Sequence, residues 1–240
     1  MNFALSVIVP TLNEADSLGR TIETVKSLDK NIEIIVVDGG SSDQTISIAE
    51  KSGATILKSE RGRGTQMHVG ALAANGAVLW FVHADSLPAP ETVQQIKKAL
   101  ENSATVGGNF TILFDGETSA AKFMTRLYPK LQKIKLVYGD SGIFVRREIY
   151  RKINGFKPLP LFEDLDFVNR LRREGTFAHL PAAMTTSSRR FEGRSFALMF
   201  ARWSFLQILY WLGFSPHQLI KLYLPIRARG KRKTRSASDE

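Results

Sequence analysis

The apolar run "LWFVHADSLP", residues 79–88, leads directly into a histidine and a carboxylate. Such a run is typical of a buried strand, and the side chains of His83 and Asp85 at its end are able to bind a cation. A carboxylate is a hard oxygen ligand suited to Mg²⁺ or Mn²⁺, whereas an imidazole suits Mn²⁺ better than Mg²⁺. An ordinary exit from a strand into a loop would place the same residues here without any ligand.

Two other predicted strands also end in polar residues. Pro10, Thr11, Asn13 and Glu14 follow the first strand, and "DGGSSD", which starts at Asp38, follows the second. Taken separately, Asn13 and Glu14 could cap the next helix, and Asp38 could start a turn. The carboxyl ends of parallel strands meet at one edge of a sheet, where ligands bind. Three such strand ends together favour a ligand site over three unrelated turns.

A nucleotide at this edge is not predicted to be held by a glycine-rich phosphate loop. The first strand is followed by "TLNEAD", which has no glycine, and "GRGTQM" after the third strand lacks the last glycine of the dinucleotide fingerprint. The sequence also has no P-loop lysine motif. A divalent cation at Asp85 would then be needed between the acidic edge and a diphosphate, while Asp38 would hydrogen-bond a base or ribose.

Alternating strand and helix patterns predict an α/β fold with a mostly parallel sheet flanked by helices. Short apolar runs predict strands in "LSVIVP", "IEIIVVD", "ATILKS" and "VLWFVH". Leu18, Ile22, Val25 and Leu28 form a helical stripe after the first strand, and helices are also predicted in "SDQTISIAEKSG" and "TQMHVGALAANG". Strands separated by helices of this length indicate βαβ units.

The second half of the chain has less regular patterns. "VGGNFTILF" predicts a strand, "GDSGIFVRREIYRKINGF" a strand and a short helix, and "PLFEDLDFVNRLRREG" a helix after Phe162 that ends at Gly175. The aromatic segment 195–214 predicts a helix that packs on its own domain or lies on a membrane surface, because Arg202 in its middle disfavours a span. The sequence "RARGKRKTR", residues 227–235, predicts a basic tail.

These patterns predict one α/β domain over residues 1–194, with halves 1–103 and 104–194, and a helical appendage with a basic tail over 195–240.

The net charge of +10 leaves nucleic acid, anionic lipid and phosphorylated small molecules as partner classes, but its concentration in the tail argues against a basic groove. Cysteine is absent, which excludes disulfides and thiolate ligands. The start "MNFALSVIVP" lacks the basic region of a signal peptide. We therefore expect a cytoplasmic protein, at the inner face of the membrane if the aromatic helix contacts lipid.

Five segments in this order resemble family 2 glycosyltransferases with the GT-A fold. They are "SVIVPTLNEADSL", "VVDGGSSDQT", "VLWFVHADSLP", "GDSGIFVRREIYRKINGF" and "FEDLDFVNRLRREG". The third lies where the family carries its D-x-D motif, and the last two look like its acceptor-side segments. A bacterial subgroup with an H-A-D variant of D-x-D also has a later segment that "SSRRF" (residues 187–191) matches.

The resemblance implies a nucleotide-sugar donor, with a UDP-sugar favoured, and transfer to an acceptor with inversion at the anomeric carbon. The acceptor is a saccharide, a lipid or a small metabolite; peripheral membrane contact is expected and nucleic acid is not. Asp164 would be the catalytic base, and Asp85 with His83 would hold Mn²⁺ or Mg²⁺. The predicted nucleotide-sugar site comprises Pro10, Thr11, Asn13, Glu14, Asp38, Gly39, Arg61, Ala84, Asp85, Glu163 and Arg190.

Two residues depart from the family pattern. Gly39 stands where many members carry a second Asp, and His83 replaces the first Asp of D-x-D. Two other functions fit parts of the sequence: a nucleotidyltransferase with a similar sheet, and a basic module that binds nucleic acid or membrane without catalysis. A nucleotidyltransferase usually has a glycine-rich basic loop after its first strand, which "TLNEADS" is not. Deleting residues 231–240 would abolish the activity of a basic module but not that of a transferase.

Overall fold

The computed structural model describes residues 4–134, 136–191 and 195–223, except for the side chains of Lys133 and Arg190. Eight strands form one sheet in the order β3-β2-β1-β4-β7-β6-β8-β5. Pairs β1–β2, β1–β4, β2–β3 and β6–β8 are parallel, and the pairs that involve β7 or β5 are antiparallel. The strands are β1 (Leu5–Thr11), β2 (Glu33–Asp38), β3 (Thr55–Lys58), β4 (Val78–Phe81), β5 (Ser86–Pro88), β6 (Thr105–Phe114), β7 (Phe144–Arg146) and β8 (Thr176–Thr186).

Nine helices flank this sheet within the described ranges, together with two short 3₁₀ turns (Gly139–Ser141 and Arg189–Phe191). The α/β fold with a mostly parallel sheet, predicted from the sequence, is confirmed. The helices are α1 (Leu18–Leu28), α2 (Thr45–Lys51), α3 (Arg63–Ala73), α4 (Thr92–Glu101), α5 (Ser119–Lys133), α6 (Arg147–Lys152), α7 (Glu163–Leu171), α8 (Phe196–Trp211) and α9 (Pro216–Tyr223).

The parallel half of the sheet is covered on both faces. The predicted stripe on α1 buries Leu18, Ile22 and Val25 in a core with alternate residues of β1 and β2. On the other face α3 packs against Ile8 and the second set of strand residues. Because successive strand side chains point to opposite faces, a strand that is buried on both faces must be apolar at every position, which explains the unbroken runs in the sequence.

Close packing of α3 on the sheet depends on a glycine. A Cβ atom at Gly70 would lie 2.5 Å from Cγ2 of Ile8 and 2.9 Å from Cγ2 of Val37. The absence of a side chain at this position therefore lets the helix approach β1 and β2, whose carboxyl ends lie beside the same helix's N-terminal half.

The second half of the sheet was only partly predicted. β6, β7 and the helices α6 and α7 occur where the sequence patterns place them. Beyond them, β8 pairs along β6, and the three-residue β5 completes the edge; neither strand was predicted, nor were α4 and α5. The helix predicted to end at Gly175 ends at Leu171, and β8 begins at Thr176 after a four-residue turn.

Helix α8 forms within the aromatic segment 195–214 and packs on a third core. Phe196, Met199, Phe200 and Trp203 lie against the cluster of Ile112, Phe114, Tyr128 and Phe191. Among the residues that the structure describes, no helix is long and apolar enough to cross a membrane. The predicted basic tail lies outside the described residues, and the division into domains stays a prediction.

Candidate active site

The loops after β1 and β2 are joined by Asn13. Its backbone is left-handed (φ 56°), its Oδ1 accepts from the backbone N of Ser42 (2.8 Å), and its own N donates to Oγ of Ser41 (2.9 Å). Next to it, the backbone N of Glu14 donates to Oγ1 of Thr45 (2.8 Å). Asn13 therefore binds the neighbouring loop and does not cap the first helix, so its role is to hold two strand ends together.

Asp38 is buried at the end of β2 and organises its own turn. One oxygen, Oδ2, accepts from the backbone N of Gly40 (2.9 Å) and of Ser41 (3.0 Å). A side chain at its neighbour Gly39 would require Gln66 to shift, because a Cβ atom would lie 3.1 Å from the Gln66 amide. The Gln66 amide N donates to the carbonyls of Thr11 (2.7 Å) and Val37 (2.8 Å). Gln66, which the sequence analysis missed, thus joins the ends of β1 and β2 and restricts the space beside position 39.

Asp85 lies close to Glu14, and an arginine joins the two. The guanidinium of Arg189 binds Oε2 of Glu14 and lies 3.5 Å from Oδ2 of Asp85. This arrangement brings the ends of β1 and β4 together with the segment after β8, as the resemblance of "SSRRF" implied. Arg190 was the residue predicted to bind the nucleotide-sugar; its side chain lies outside the described part, and Arg189 is the arginine that the structure places at this edge.

His83 is not among the residues that line the cleft, but it forms a pair with Asp140, which does line the cleft and which the sequence analysis missed. Nδ1 of His83 lies 2.8 Å from Oδ1 of Asp140, and both side chains are buried. Among the described residues, Nε2 of His83 has no hydrogen-bond partner. Between His83 and Asp85, the Ala84 side chain belongs to the core under α1, and its carbonyl accepts from Oγ1 of Thr21 (2.8 Å).

Asp164 is a buried carboxyl group in the first turn of α7. Its Oδ2 accepts from the backbone N of Gly139 (2.7 Å), and its Oδ1 accepts from the backbone N of Leu165 (2.8 Å). Burial, followed by the negative charge of Glu163, raises the pKa of Asp164 to about 7. Glu163 itself lies 3.6 Å from the guanidinium of Arg63. Asp164 can therefore exchange a proton near neutral pH.

A cleft of about 850 Å³ connects this acid to the strand ends. Of the predicted site residues, Pro10, Thr11, Glu14, Arg61, Glu163 and Asp164 line the cleft. Among the described residues, Asn13, Asp38, Gly39, His83, Ala84 and Asp85 lie behind or beside this lining. Asp38 is nevertheless in register with Thr11 at the same sheet edge, and Asp85 shares Arg189 with Glu14. The predicted residues therefore gather at one edge, although six of them do not line the cleft itself.

The donor set at this edge fits a cation that is held largely by a substrate. The described residues contain no group of three or more His, Asp or Glu side chains able to enclose a metal ion. Mg²⁺ typically binds through one or two carboxylates together with substrate phosphates, and Asp85 supplies one carboxylate. Nδ1 of His83 is held by the Asp140 carboxyl group, as in many histidines that bind a metal through the other nitrogen. Nε2 is buried and has no partner in the part described.

Comparison with solved structures identifies the class of fold. S. aureus TarS (residues 1–349) superposes with a TM-score of 0.62 at 19% identity, over 81% of this chain and 60% of that chain. Glucosyl-3-phosphoglycerate synthase from Mycobacterium tuberculosis superposes with a TM-score of 0.59 at 21% identity, over 83% and 76%. The protein has the GT-A fold of these glycosyltransferases.

Sequence comparison identifies the family. Residues 6–154 match the model of glycosyl transferase family 2, and an uncharacterised glycosyltransferase of Mycobacterium tuberculosis is 36% identical over 173 residues, which is 68% of this chain and 63% of that protein. The chain belongs to glycosyl transferase family 2. It matches less than two thirds of the length of such relatives, 54% and 63% in two of them.

Proposed function

We propose that this protein is a glycosyltransferase of the hexosyltransferase type (EC 2.4) that moves a sugar from a nucleoside-diphosphate sugar, with UDP favoured, to an acceptor hydroxyl. The observation that carries this proposal is the single cleft that contains both the end of β1 and the buried carboxyl group of Asp164. The two similar structures support the choice of donor: TarS was solved with UDP-GlcNAc, and the synthase with Mn²⁺, UDP and glucosyl-3-phosphoglycerate.

The donor binds at the strand ends in this proposal. Pro10, Thr11 and Glu14 contact the nucleoside from the cleft surface, and Asp38 holds the adjacent turn after β2. Arg189 is placed to bind a phosphate oxygen, because it lies between two carboxylates at the exposed rim. A divalent cation, Mn²⁺ or Mg²⁺, held by Asp85 would offset the negative charge of the departing diphosphate.

The acceptor side requires a base, and Asp164 has the properties of one. In a single displacement, the acceptor oxygen forms a bond to the anomeric carbon while the bond to the diphosphate breaks on the opposite face, so the configuration inverts. The hydroxyl proton passes to the Asp164 carboxylate, whose orientation is fixed by Gly139 and Leu165. A base that is half ionised near neutral pH both accepts the proton readily and is available to do so.

The H-A-D variant has a structural role in this proposal. His83 is held by Asp140 at the side of the Asp85 loop, and its imidazole would favour Mn²⁺ over Mg²⁺ if Nε2 becomes a ligand when donor binds.

We also propose that the protein works in the cytoplasm at the inner face of the membrane, where α8 and the basic segment 227–235 would meet anionic lipid.

A panel of nucleotide sugars tests the function. We expect one UDP-sugar to raise the thermal midpoint in the presence of Mn²⁺ and to be hydrolysed or transferred.

Asp164→Asn should keep UDP affinity but lose roughly 10²–10⁴-fold in turnover. The matched control is Asp166→Asn, on the same helical turn but paired with Arg170 and Lys157, which should retain turnover. Near-normal turnover in Asp164→Asn would contradict the assignment of the base.

A further inference from the structure

The cleft has a polar end and an apolar wall, and the proposed donor accounts only for the polar end. The wall is formed by α5, α8 and α9, none of which belongs to the strand-end loops. A sugar, a ribose and a diphosphate are polar and do not require an apolar surface of this extent. The side chains that form its centre are Met124, Leu131, Phe200, Trp203, Leu206 and Trp211.

One buried polar group interrupts the apolar wall. Gln207 of α8 is 6% exposed and lines the cleft. Its Oε1 accepts from the hydroxyl of Tyr138 (3.0 Å), while its Nε2 has no hydrogen-bond partner among the described residues. Leaving a buried N–H donor without a hydrogen-bond acceptor destabilises the protein. A ligand oxygen that accepts a hydrogen bond from this donor would therefore bind more tightly.

This amide lies close to the proposed base. Tyr138, its partner, precedes Gly139, whose N donates to Asp164. Burial, with the charge of Asp164 as a second cause, raises the pKa of the Tyr138 hydroxyl. The ring of Tyr210, also on α8, lies 4.7 Å from that of Phe162, the residue before Glu163. Helix α8 is therefore part of the acceptor side of the cleft.

The apolar wall continues outward onto the protein surface. Ile208 and Trp211 line the cleft while being 50% and 59% exposed, and Leu212 beyond them is 70% exposed. The only charged residue of α8, Arg202, binds the carbonyl of Leu222 and so joins α8 to α9. After α9 the sequence continues into "RARGKRKTR", which is suited to an anionic lipid surface.

We propose that the acceptor is a lipid alcohol: a hydroxyl-bearing head between Asp164 and the Gln207 amide, and an apolar chain that leaves the cleft along Ile208 and Trp211. This inference rests on the proposed function, since it names the acceptor of that reaction. The apolar wall removes the chain from water, and the carboxyl and amide groups hold the hydroxyl oxygen. A saccharide or a small polar metabolite would leave both the wall and its exposed extension without a role.

Chain-length dependence of binding tests the acceptor class. The probes are n-alkyl β-glucosides from methyl to octyl, kept below their micelle concentrations, with the fluorescence of Trp203 and Trp211 as the signal. We expect affinity to increase by up to roughly fourfold for each methylene that enters the wall. Equal affinity across the series would overturn the inference.

A pair of double variants distinguishes the cleft from general adsorption of surfactant. Ile208→Gln with Trp211→Gln changes cleft residues that are exposed enough to leave the fold intact, and Leu198→Gln with Phe205→Gln changes comparably exposed residues of α8 outside the cleft lining. Trp203 reports binding in both. We expect the first pair to flatten the chain-length dependence and the second to preserve it. Equal flattening in both would mean adsorption and would refute the lipid site.

Two further measurements separate the head from the chain and from the donor. Gln207→Met should weaken binding of every glucoside by a similar factor and leave the dependence on chain length unchanged; unchanged affinity would remove the amide from the proposal. Binding of UDP with Mn²⁺ is measured in parallel. Loss of chain-length dependence with normal UDP binding would refute the lipid acceptor alone. Failure to bind UDP would refute the proposed function, and the alkyl site would then be judged from the glucoside data alone.

Discussion

The carboxyl group of Asp164 owes its chemistry to groups that lie far from it in the sequence. Gly139 supplies a hydrogen bond from a 3₁₀ turn, and burial supplies the shift in pKa. The sequence predicted Asp164 itself through the "FEDLDF" segment, but not Tyr138, Asp140 or Gln207. Their contacts depend on pairing of β4 with β7 and on docking of α8, which no local pattern encodes.

The raised pKa of Asp164 predicts the pH dependence of transfer. The base accepts a proton only when it is ionised, so kcat should rise with pH and reach half its plateau near pH 7, whereas an aspartate with the ordinary pKa would give a midpoint near 3.8. Glu163→Gln removes the second cause of the shift and should move the midpoint to lower pH. The measurement is kcat at saturating substrates between pH 5 and 9; a flat profile would contradict the role of Asp164.

In the proposed function, Asp85 is the carboxylate that holds the cation needed for donor binding. Asp85→Ala should abolish the increase in UDP affinity that Mn²⁺ produces, because the cation loses its protein ligand. Calorimetry with UDP, with and without Mn²⁺, checks this. Asp16→Ala, an exposed acid in the loop that also contains Glu14, controls for the loss of one negative charge and should keep the metal effect. Unchanged affinity in Asp85→Ala would refute the metal assignment.

At the scale of elements, the sequence was most informative where a strand is buried on both faces. β1, β2 and β4 are mostly apolar runs, and α1 between the first two has a clear apolar stripe, so their order and type could be predicted. β5 has three residues, and β8 contains polar residues and Pro181, so neither shows a strand pattern. Helix α4 does carry a readable stripe of Val93, Ile96 and Leu100, which the predictions omitted.

The close contact of α3 with the sheet predicts the effect of one substitution. Gly70→Val should lower the free energy of unfolding by about 1–3 kcal/mol, because its side chain would overlap Ile8 and Val37. It should also weaken UDP binding, since Gln66 on the same helix holds the ends of β1 and β2. Leu72→Val, on the exposed face of α3, should change stability by no more than about 0.5 kcal/mol. Urea unfolding measures both, and similar values would contradict the packing argument.

At the scale of the whole molecule, the sequence has a dense basic segment at residues 227–235. Residues 231–240 contain four basic and two acidic side chains, so their deletion changes the net charge from +10 to +8. We expect this deletion to leave hydrolysis of the donor unchanged and to weaken sedimentation with anionic vesicles, more so at low salt than at high salt. Loss of donor chemistry would favour the basic-module interpretation instead.

The wall formed by α8 has a consequence for how relatives should be compared. The family match ends at residue 154, whereas Asp164, Gln207 and the aromatic surface of α8 come later in the chain. Similarity to relatives over the matched segment therefore bears on the proposed donor site and says little about the acceptor. Two proteins that share this segment can attach the same sugar to chemically unrelated molecules, and exchanging the segment from 195 onward between them should exchange their acceptors.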